Sequence, residues 1–327
     1  MDYTKQLDYS SLSTFIDCPR KFFFQYIAHL RSTKPNIDLI FGSAWHYGLE
    51  EAYKQLQADP QTSMSDATDI SIQAMNTYWT VEGEPNFPNP DIIFPKSPGH
   101  AANMYEAYWK KYYSTDQDGK IIGVEIPFNI PMKVKLSSSS NEYFDINYTG
   151  RIDLAKLLNG KLIIFDHKTA KAIYPITVSS FQSSLQTEGY LSAGKIYFDN
   201  LPRIVFNIAL CQKSKIAFER IEIIKNDNNI ERFLDDLKYH MTEIIANLSL
   251  MEYEHDIQDK KFNPTAFKRS CGYACTQYFR TCPYFDLCTM RNNPYLYLND
   301  TPAGYKVEEW NPDDHDAKIK KLLNEVK

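Results

Sequence analysis

Long apolar runs are missing from this 327-residue chain, and no apolar segment lies behind its N-terminal "MDYTKQLDYSSLSTF". The first absence excludes a helical membrane span, which needs about 20 mostly apolar residues. The second leads us to expect no secretory signal peptide and a soluble, cytoplasmic protein. Positive charge is not in excess: 36 Lys and Arg stand against 41 Asp and Glu, a net charge of −5. Bulk electrostatics therefore do not draw the chain to polyanions, and any grip on phosphates must come from a local basic groove. Arg20 and Lys21, Lys168 and Lys171, and Lys268, Arg269 and Arg280 are the candidates. No G-x4-G-K-[ST] loop occurs, so unwinding of a duplex would need a partner. Internal repeats and low-complexity tracts are absent too. The expected organisation is one domain over residues 1–300 and a charged tail at 301–327.

Several elements are legible. Residues 9–30 open with serines fit to cap a helix and continue with Leu12, Phe15 and Ile16 at helical spacing. Further helices are expected near 39–57, 100–114, 178–197 and 230–252. The Pro-rich "EPNFPNPDIIFPKSPG" at 84–99 should be irregular. "IIGVEIPFNI", two segments around Asn159-Gly160, "RIVFNIALCQ" and "KIAFERIEII" read as strands. Helices on both sides of one mixed sheet make the expected class α/β.

The chemistry begins at "KLIIFDHKTAK", residues 161–171, where an apolar strand ends in Asp166-His167-Lys168. Side chains two apart share a strand face, so Asp166 and Lys168 point the same way. Upstream, "TGRIDLAKLLNG" carries Asp153 on a first strand joined to this one by Asn-Gly, a strong hairpin signal. The hairpin gathers two carboxylates and an ammonium around one point. Such a set suits a hard divalent cation, Mg2+ or Mn2+, which takes carboxylate oxygens and leaves positions for water and phosphate. The reaction class it points to is phosphodiester hydrolysis.

"Gly150-Arg-Ile-Asp153" followed by "Ile-Phe-Asp166-His-Lys168-Thr169" resembles the core motif of the PD-(D/E)xK nuclease superfamily, in its RecB-like branch. Two more segments resemble that branch. Gly42-Ser-Ala-Trp-His46 is similar to its G-x3-H helix, and Gln186 with Tyr190 to its Q-x3-Y helix. The resemblance implies a restriction-endonuclease-like core. It implies His46, Asp153, Asp166 and the His167 carbonyl as metal ligands, Lys168 as the group that positions or activates water, and Gln186 and Tyr190 as residues shaping the active site. Glu50, Glu51 and Glu125 are weaker candidates for further carboxylates.

Six cysteines remain. Cys211 lies in a strand and reads as a small buried apolar residue. Cys18, Cys271, Cys275, Cys282 and Cys288 cluster in a way that favours a metal over disulfides, and spacing alone does not separate zinc from iron-sulfur. "CPRKF" at 18–22 and the C-x5-C of Cys282 and Cys288 resemble the iron-sulfur nucleases of the AddB and CRISPR-associated types, which implies a [4Fe-4S] cluster stapling the two ends of the chain, with zinc as the alternative. The family's usual third ligand would fall at position 279, here Phe279, so Cys271 or Cys275 must serve, and Cys271 is the expected one. The implied function is a metal-dependent deoxyribonuclease, an exonuclease acting on DNA ends or single strands, with a helicase or recombination enzyme as partner. The alternative is a non-catalytic DNA-binding or scaffolding protein that keeps the fold.

Overall fold

The computed structural model describes residues 6–135, 142–277 and 280–309. Phe279 and the charged tail from residue 310 lie outside them. In chain order the elements are β1 (Gln6–Leu7), α1 (Tyr9–Asp17), α2 (Pro19–Phe22), β2 (Leu30–Ser32), α3 (Ile37–Ala58), α4 (Met64–Tyr78), α5 (Pro98–Gln117), β3 (Lys120–Lys135) and β4 (Tyr143–Leu158). They continue as β5 (Lys161–Ala170), α6 (Pro175–Gln182), α7 (Leu185–Phe198), β6 (Arg203–Cys211), β7 (Ile216–Ile223), α8 (Asp227–Glu254), α9 (Phe285–Met290) and β8 (Tyr305–Val307). Contacts divide the chain into two units: Asn36–Phe128 with Gly150–Glu231, and the described residues of Met1–Pro35, Asn129–Thr149 and Arg232–Pro312.

In the first unit β5 lies between β4, its antiparallel neighbour, and β6, which runs parallel to it; β7 continues antiparallel to β6. The hairpin follows from its turn. Asn159 and Gly160 both take left-handed backbone, φ 52° and 74°, the conformations a two-residue type I′ turn requires. Register is then fixed from Leu158↔Lys161 to Leu154↔Phe165. Helix α3 buries Phe41, Ala44, Trp45, Leu49, Ala52, Tyr53 and Leu56, a helical stripe. Trp45 stacks on Tyr105 of α5 with centroids 4.2 Å apart. The approach is close enough that a Cβ on Gly48 would lie 2.1 Å from the Tyr105 hydroxyl and 2.7 Å from the Ser71 carbonyl, so only glycine fits there.

In the second unit β1 pairs in parallel with β4 (Gln6↔Asn147), and β2 and β8 form an antiparallel ribbon. Phe22, Phe23, Phe267 and Tyr295 pack together as rings.

The mixed sheet with flanking helices is as expected. Four local expectations change. The cap of the first helix is Asp8, not a serine: Ser11 N–H donates to Asp8 Oδ1 at 2.7 Å, and Ser11 Oγ accepts from the Asp8 N–H at 2.9 Å. The 9–30 stretch breaks at Cys18, whose backbone is extended (φ −161°, ψ 107°), and then widens into a π-helical turn at Phe23–Ile27. The helix expected at 178–197 is two helices, separated at Ser183 and Ser184, with Ser184 capping the second. Helix α4 was not expected, although Ser63 and Asp66 form a reciprocal capping box that the sequence displays. No described helix is long and apolar enough to cross a membrane.

Candidate metal centre and thiol cluster

Asp153, Asp166, His167 and Lys168 come from the hairpin, His46 from α3, and Gln186 and Tyr190 from α7; all lie in one unit. They converge. The Asp153 Oδ2 atom accepts the His167 backbone N–H at 2.7 Å and lies 3.0 Å from His46 Nε2. His46 Nε2 is also 2.7 Å from the His167 carbonyl oxygen. A carboxylate, an imidazole and a carbonyl thus meet at one point, three of the four expected ligands.

Asp166, the fourth, is 1% exposed. Its Oδ1 accepts from Gln186 Nε2 at 2.9 Å and lies 3.1 Å from the Tyr190 hydroxyl, so the two α7 side chains four apart both reach the carboxylate. Lys168 Nζ is 3.0 Å from Oδ1 as a hydrogen bond and 2.7 Å from Oδ2 as a charge contact without hydrogen-bond alignment. Oδ2 thus has no hydrogen-bond partner while buried, and the Lys168 ammonium 2.7 Å away is what balances its charge.

Glu125 enters more firmly than the sequence allowed. Its backbone is left-handed (φ 53°) in the middle of β3, a strained conformation for a residue with a side chain, and one that re-aims it. The re-aimed carboxylate lies 4.0 Å from His46 Nδ1 and 2.5 Å from Arg151 Nε. Among the described residues, His46, Glu125 and Asp153 form the one group of His, Cys, Asp or Glu whose donor atoms all fall within 4.8 Å of one another. Glu50 is buried and paired with Lys54, which also holds Glu51 at 2.9 Å. The Glu50 charge helps raise Glu125.

The charge states follow from this crowding. Burial opposes a charge on His46, but the Asp153 carboxylate beside it, and Glu125, outweigh burial and hold the imidazolium up to about 9. Burial and the Asp153 charge push Glu125 up to about 8 against the pull of Arg151. Burial would raise Asp153 as well, but His46 wins and keeps it below the usual carboxylate range. Asp166 is raised by burial, only partly countered by Lys168. The His167 ring, wholly desolvated, is pushed down to about 3 and is neutral. Without a cation, protons hold this anionic cluster together.

In the other unit the Cys18 thiol accepts a hydrogen bond from the Ser270 backbone N–H at 3.5 Å, and the Cys282 N–H donates to the Cys275 carbonyl at 2.8 Å. Burial raises Cys282, and the charges of Cys18 and Cys275 add to the rise. Burial pushes Cys288 up to about 11, with Arg20 pulling it down and Cys18 and Cys282 raising it. Cys271 is exposed, and the nearby thiol that joins Cys18 in acting on Cys282 is that of Cys275. Cys211 is 2% exposed, as a small apolar residue should be. Arg20 does not serve a phosphate groove. It is 1% exposed, its Nε donates to the Phe267 carbonyl at 2.8 Å, and its own N–H bonds the Lys268 carbonyl, so it fastens the residue-20 turn to the segment before Ser270.

A family model described as the PD-(D/E)XK nuclease superfamily matches residues 6–289. Among solved structures, the chain is similar to a "putative exonuclease" from Eubacterium rectale, with 12% identity over 78% of this chain and 83% of that one and a TM-score of 0.44. It is also similar to the crystal structure of SSO0001, at 14% identity over 69% and 84% of the two chains and a TM-score of 0.25. Among curated proteins, none matches.

Proposed function

Because the chain belongs to the PD-(D/E)XK nuclease superfamily, we propose that it is a divalent-metal-dependent deoxyribonuclease of the RecB-like kind, working as an exonuclease on DNA ends or single strands. The observation that carries the reading is the meeting of Asp153 Oδ2, His46 Nε2 and the His167 carbonyl, with the buried Asp166 carboxylate and its ion-paired Lys168 beside them. The donor set fits Mg2+ or Mn2+: oxygen-rich, anionic, and with one imidazole. Asp153, Asp166, His46 and the His167 carbonyl would hold the ion, with Glu125 as a further carboxylate that the geometry adds.

A divalent cation in such a site supplies charge neutralisation at the scissile phosphate and lowers the pKa of a bound water. The chain's own groups do the rest. Lys168 is half-exposed and held by Asp166, which leaves its ammonium at the mouth of the site to orient the attacking water and offset charge on the phosphate. Gln186 and Tyr190 fix Asp166 by two hydrogen bonds, so the carboxylate need not reorganise when substrate arrives. A scaffold that kept only the fold would be free to lose Asp153, Asp166 or Lys168, and all three are present. We read residues 1–300 as one nuclease domain. With no nucleotide-phosphate loop, any unwinding falls to a helicase or recombination partner.

We further propose a [4Fe-4S] cluster on Cys18, Cys275, Cys282 and Cys288. Cys275 replaces Cys271 in this reading because its charge and backbone are beside Cys282 while Cys271 is turned outward.

The test is digestion of single- and double-stranded DNA labelled at either end, with Mg2+ or Mn2+ and with EDTA. Mononucleotide release from one end supports the exonuclease reading, and internal cuts or inertness of both substrates would refute it.

A pH dependence comes with the ligand assignment. His46 keeps its proton up to about 9 and Glu125 up to about 8, and both must lose it to ligate a cation. Apparent Mn2+ affinity should therefore rise with pH between 7 and 9, by up to about tenfold per pH unit for each proton displaced, and level off above. Calorimetry in buffers of different ionisation enthalpy counts the protons. Affinity that is flat across this window would remove His46 and Glu125 from the ligand set.

A further inference from the structure

A row of buried polar groups lies across the sheet from β5 to β7. His167, Asn207 and Arg220 are register partners on β5, β6 and β7, so their side chains stand side by side on one face, the face opposite Asp166 and Lys168. The row ends on α5, where Arg220 makes a two-pronged pair with Asp116, Nη1 to Oδ1 at 2.7 Å and Nη2 to Oδ2 at 2.8 Å. Tyr53 and Tyr108 close it: the Tyr53 hydroxyl donates to Asp116 Oδ2 at 2.6 Å, and the two phenol oxygens are 2.7 Å apart. A packed apolar core has no need of such a network, and burying it is costly unless every member is satisfied.

The order of donors and acceptors sets the state of His167. Arginine can only donate, so the Asn207 atom 3.2 Å from Arg220 Nε is the carbonyl Oδ1. That turns Asn207 Nδ2 toward the Tyr108 hydroxyl and toward His167 Nδ1, each at 2.8 Å. Facing an amide N–H, Nδ1 can only accept, and the proton of the neutral ring must sit on Nε2. The ring is also clamped by Tyr53, stacked at 5.6 Å and 7°. Its backbone is the peptide whose N–H holds Asp153 and whose carbonyl faces His46.

We propose that Arg220, acting through Asn207, is a positioning residue for the metal centre: it locks one tautomer and orientation of His167 and thereby fixes the β5 backbone that sets Asp153 and His46. The proposal rests on the metal-site reading above for its consequence, though not for its geometry. Asn207→Asp is the near-isosteric test. A carboxylate can satisfy Arg220 with one oxygen but offers only an acceptor to His167, so the ring must carry its proton on Nδ1.

In wild-type protein, 15N NMR should find His167 as the Nε2–H tautomer, and in Asn207→Asp with a proton on Nδ1. Mn2+ affinity of the variant should fall by about tenfold or more, the scale seen when partners of metal ligands are changed. The turnover rate should fall while KM for an oligonucleotide stays unchanged. Arg203→Gln, which removes an exposed 3.0 Å pair with Glu222 on the same two strands, should change none of these. An Nδ1–H tautomer in the wild type would overturn the proposal even if Asn207→Asp failed to fold, and wild-type Mn2+ affinity in a folded Asn207→Asp would overturn it as well. Failure of wild-type protein to bind Mn2+ at all would instead strike the metal reading and, with it, the consequence proposed here.

Discussion

Asp166→Ala and Lys168→Ala should each reduce DNA hydrolysis in Mn2+ by at least about 10²-fold, while leaving a folded protein. The two substitutions fail differently. Removing Asp166 deletes a buried carboxylate assigned to the cation and held by Gln186 and Tyr190; excess metal should restore little. Removing Lys168 keeps the carboxylates and takes away the ammonium at the phosphate, so metal affinity should survive and turnover should not. Stability separates catalytic from structural loss. Burial raises the Asp166 pKa, so the folded protein favours the protonated form: the stabilisation is full below the unfolded value near 3.8 and is lost as pH rises through the raised one. At neutral pH the charged group is thus a burden to the metal-free fold, and Asp166→Ala should melt close to wild type in EDTA. Wild-type rates in either variant, or in EDTA, would end the assignment.

The second large effect is expected at Cys18. It sits at the break between α1 and α2, 8% exposed, with its sulfur under the Ser270 N–H. If it ligates a cluster with Cys275, Cys282 and Cys288, the site joins two segments more than 240 residues apart in sequence. Structural zinc binding is worth on the order of 10–16 kcal/mol in zinc-finger peptides, comparable with the roughly 5–15 kcal/mol that holds a whole domain folded. Cys18→Ser should therefore lose the brown colour and iron, and protease should attack near residues 20 and 270 together. Cys275→Ser should match it and Cys271→Ser should be mild. Zinc without iron after anaerobic purification would reject the cluster and keep the staple. Full iron in Cys18→Ser would reject both, and equal loss in Cys271→Ser would return the fourth position to Cys271.

The parts of the site that could be read from the sequence are those that local geometry assembles. Asp153 and Asp166 are joined by a two-residue turn whose residues announce themselves, and Gln186 with Tyr190 and Gly42 with His46 keep helical spacing. Glu125 was undervalued because strand alternation says nothing of a left-handed residue within β3. Asp116, Asn207 and Arg220 were invisible for another reason: each is an ordinary polar residue in its own segment, and their pairing exists only across strands and a helix. The difference in exposure between Cys271 and Cys275 is likewise not encoded by a spacing of four residues. Arg20 misled because a basic residue beside a cysteine looks like a phosphate contact until its burial is known.

The two-residue turn at Asn159-Gly160 has a bearing on how this chain can change over time. Strand side chains alternate, so one extra residue in that turn would slip β5 against β4 and rotate Asp166 and Lys168 to the far side of the sheet, with His167 taking their place. Loop length here is quantised by function. The Pro-rich excursion carries no such register: Phe87 and Ile93 pack on the core and Lys96 and the Pro95 carbonyl hold its far end to Asp38 and Cys211, but its exposed tip at 88–92 can lengthen or shorten by single residues. Variation among close relatives should thus collect in the excursion and stop at the hairpin, where only changes of residue type that keep both left-handed positions are admissible.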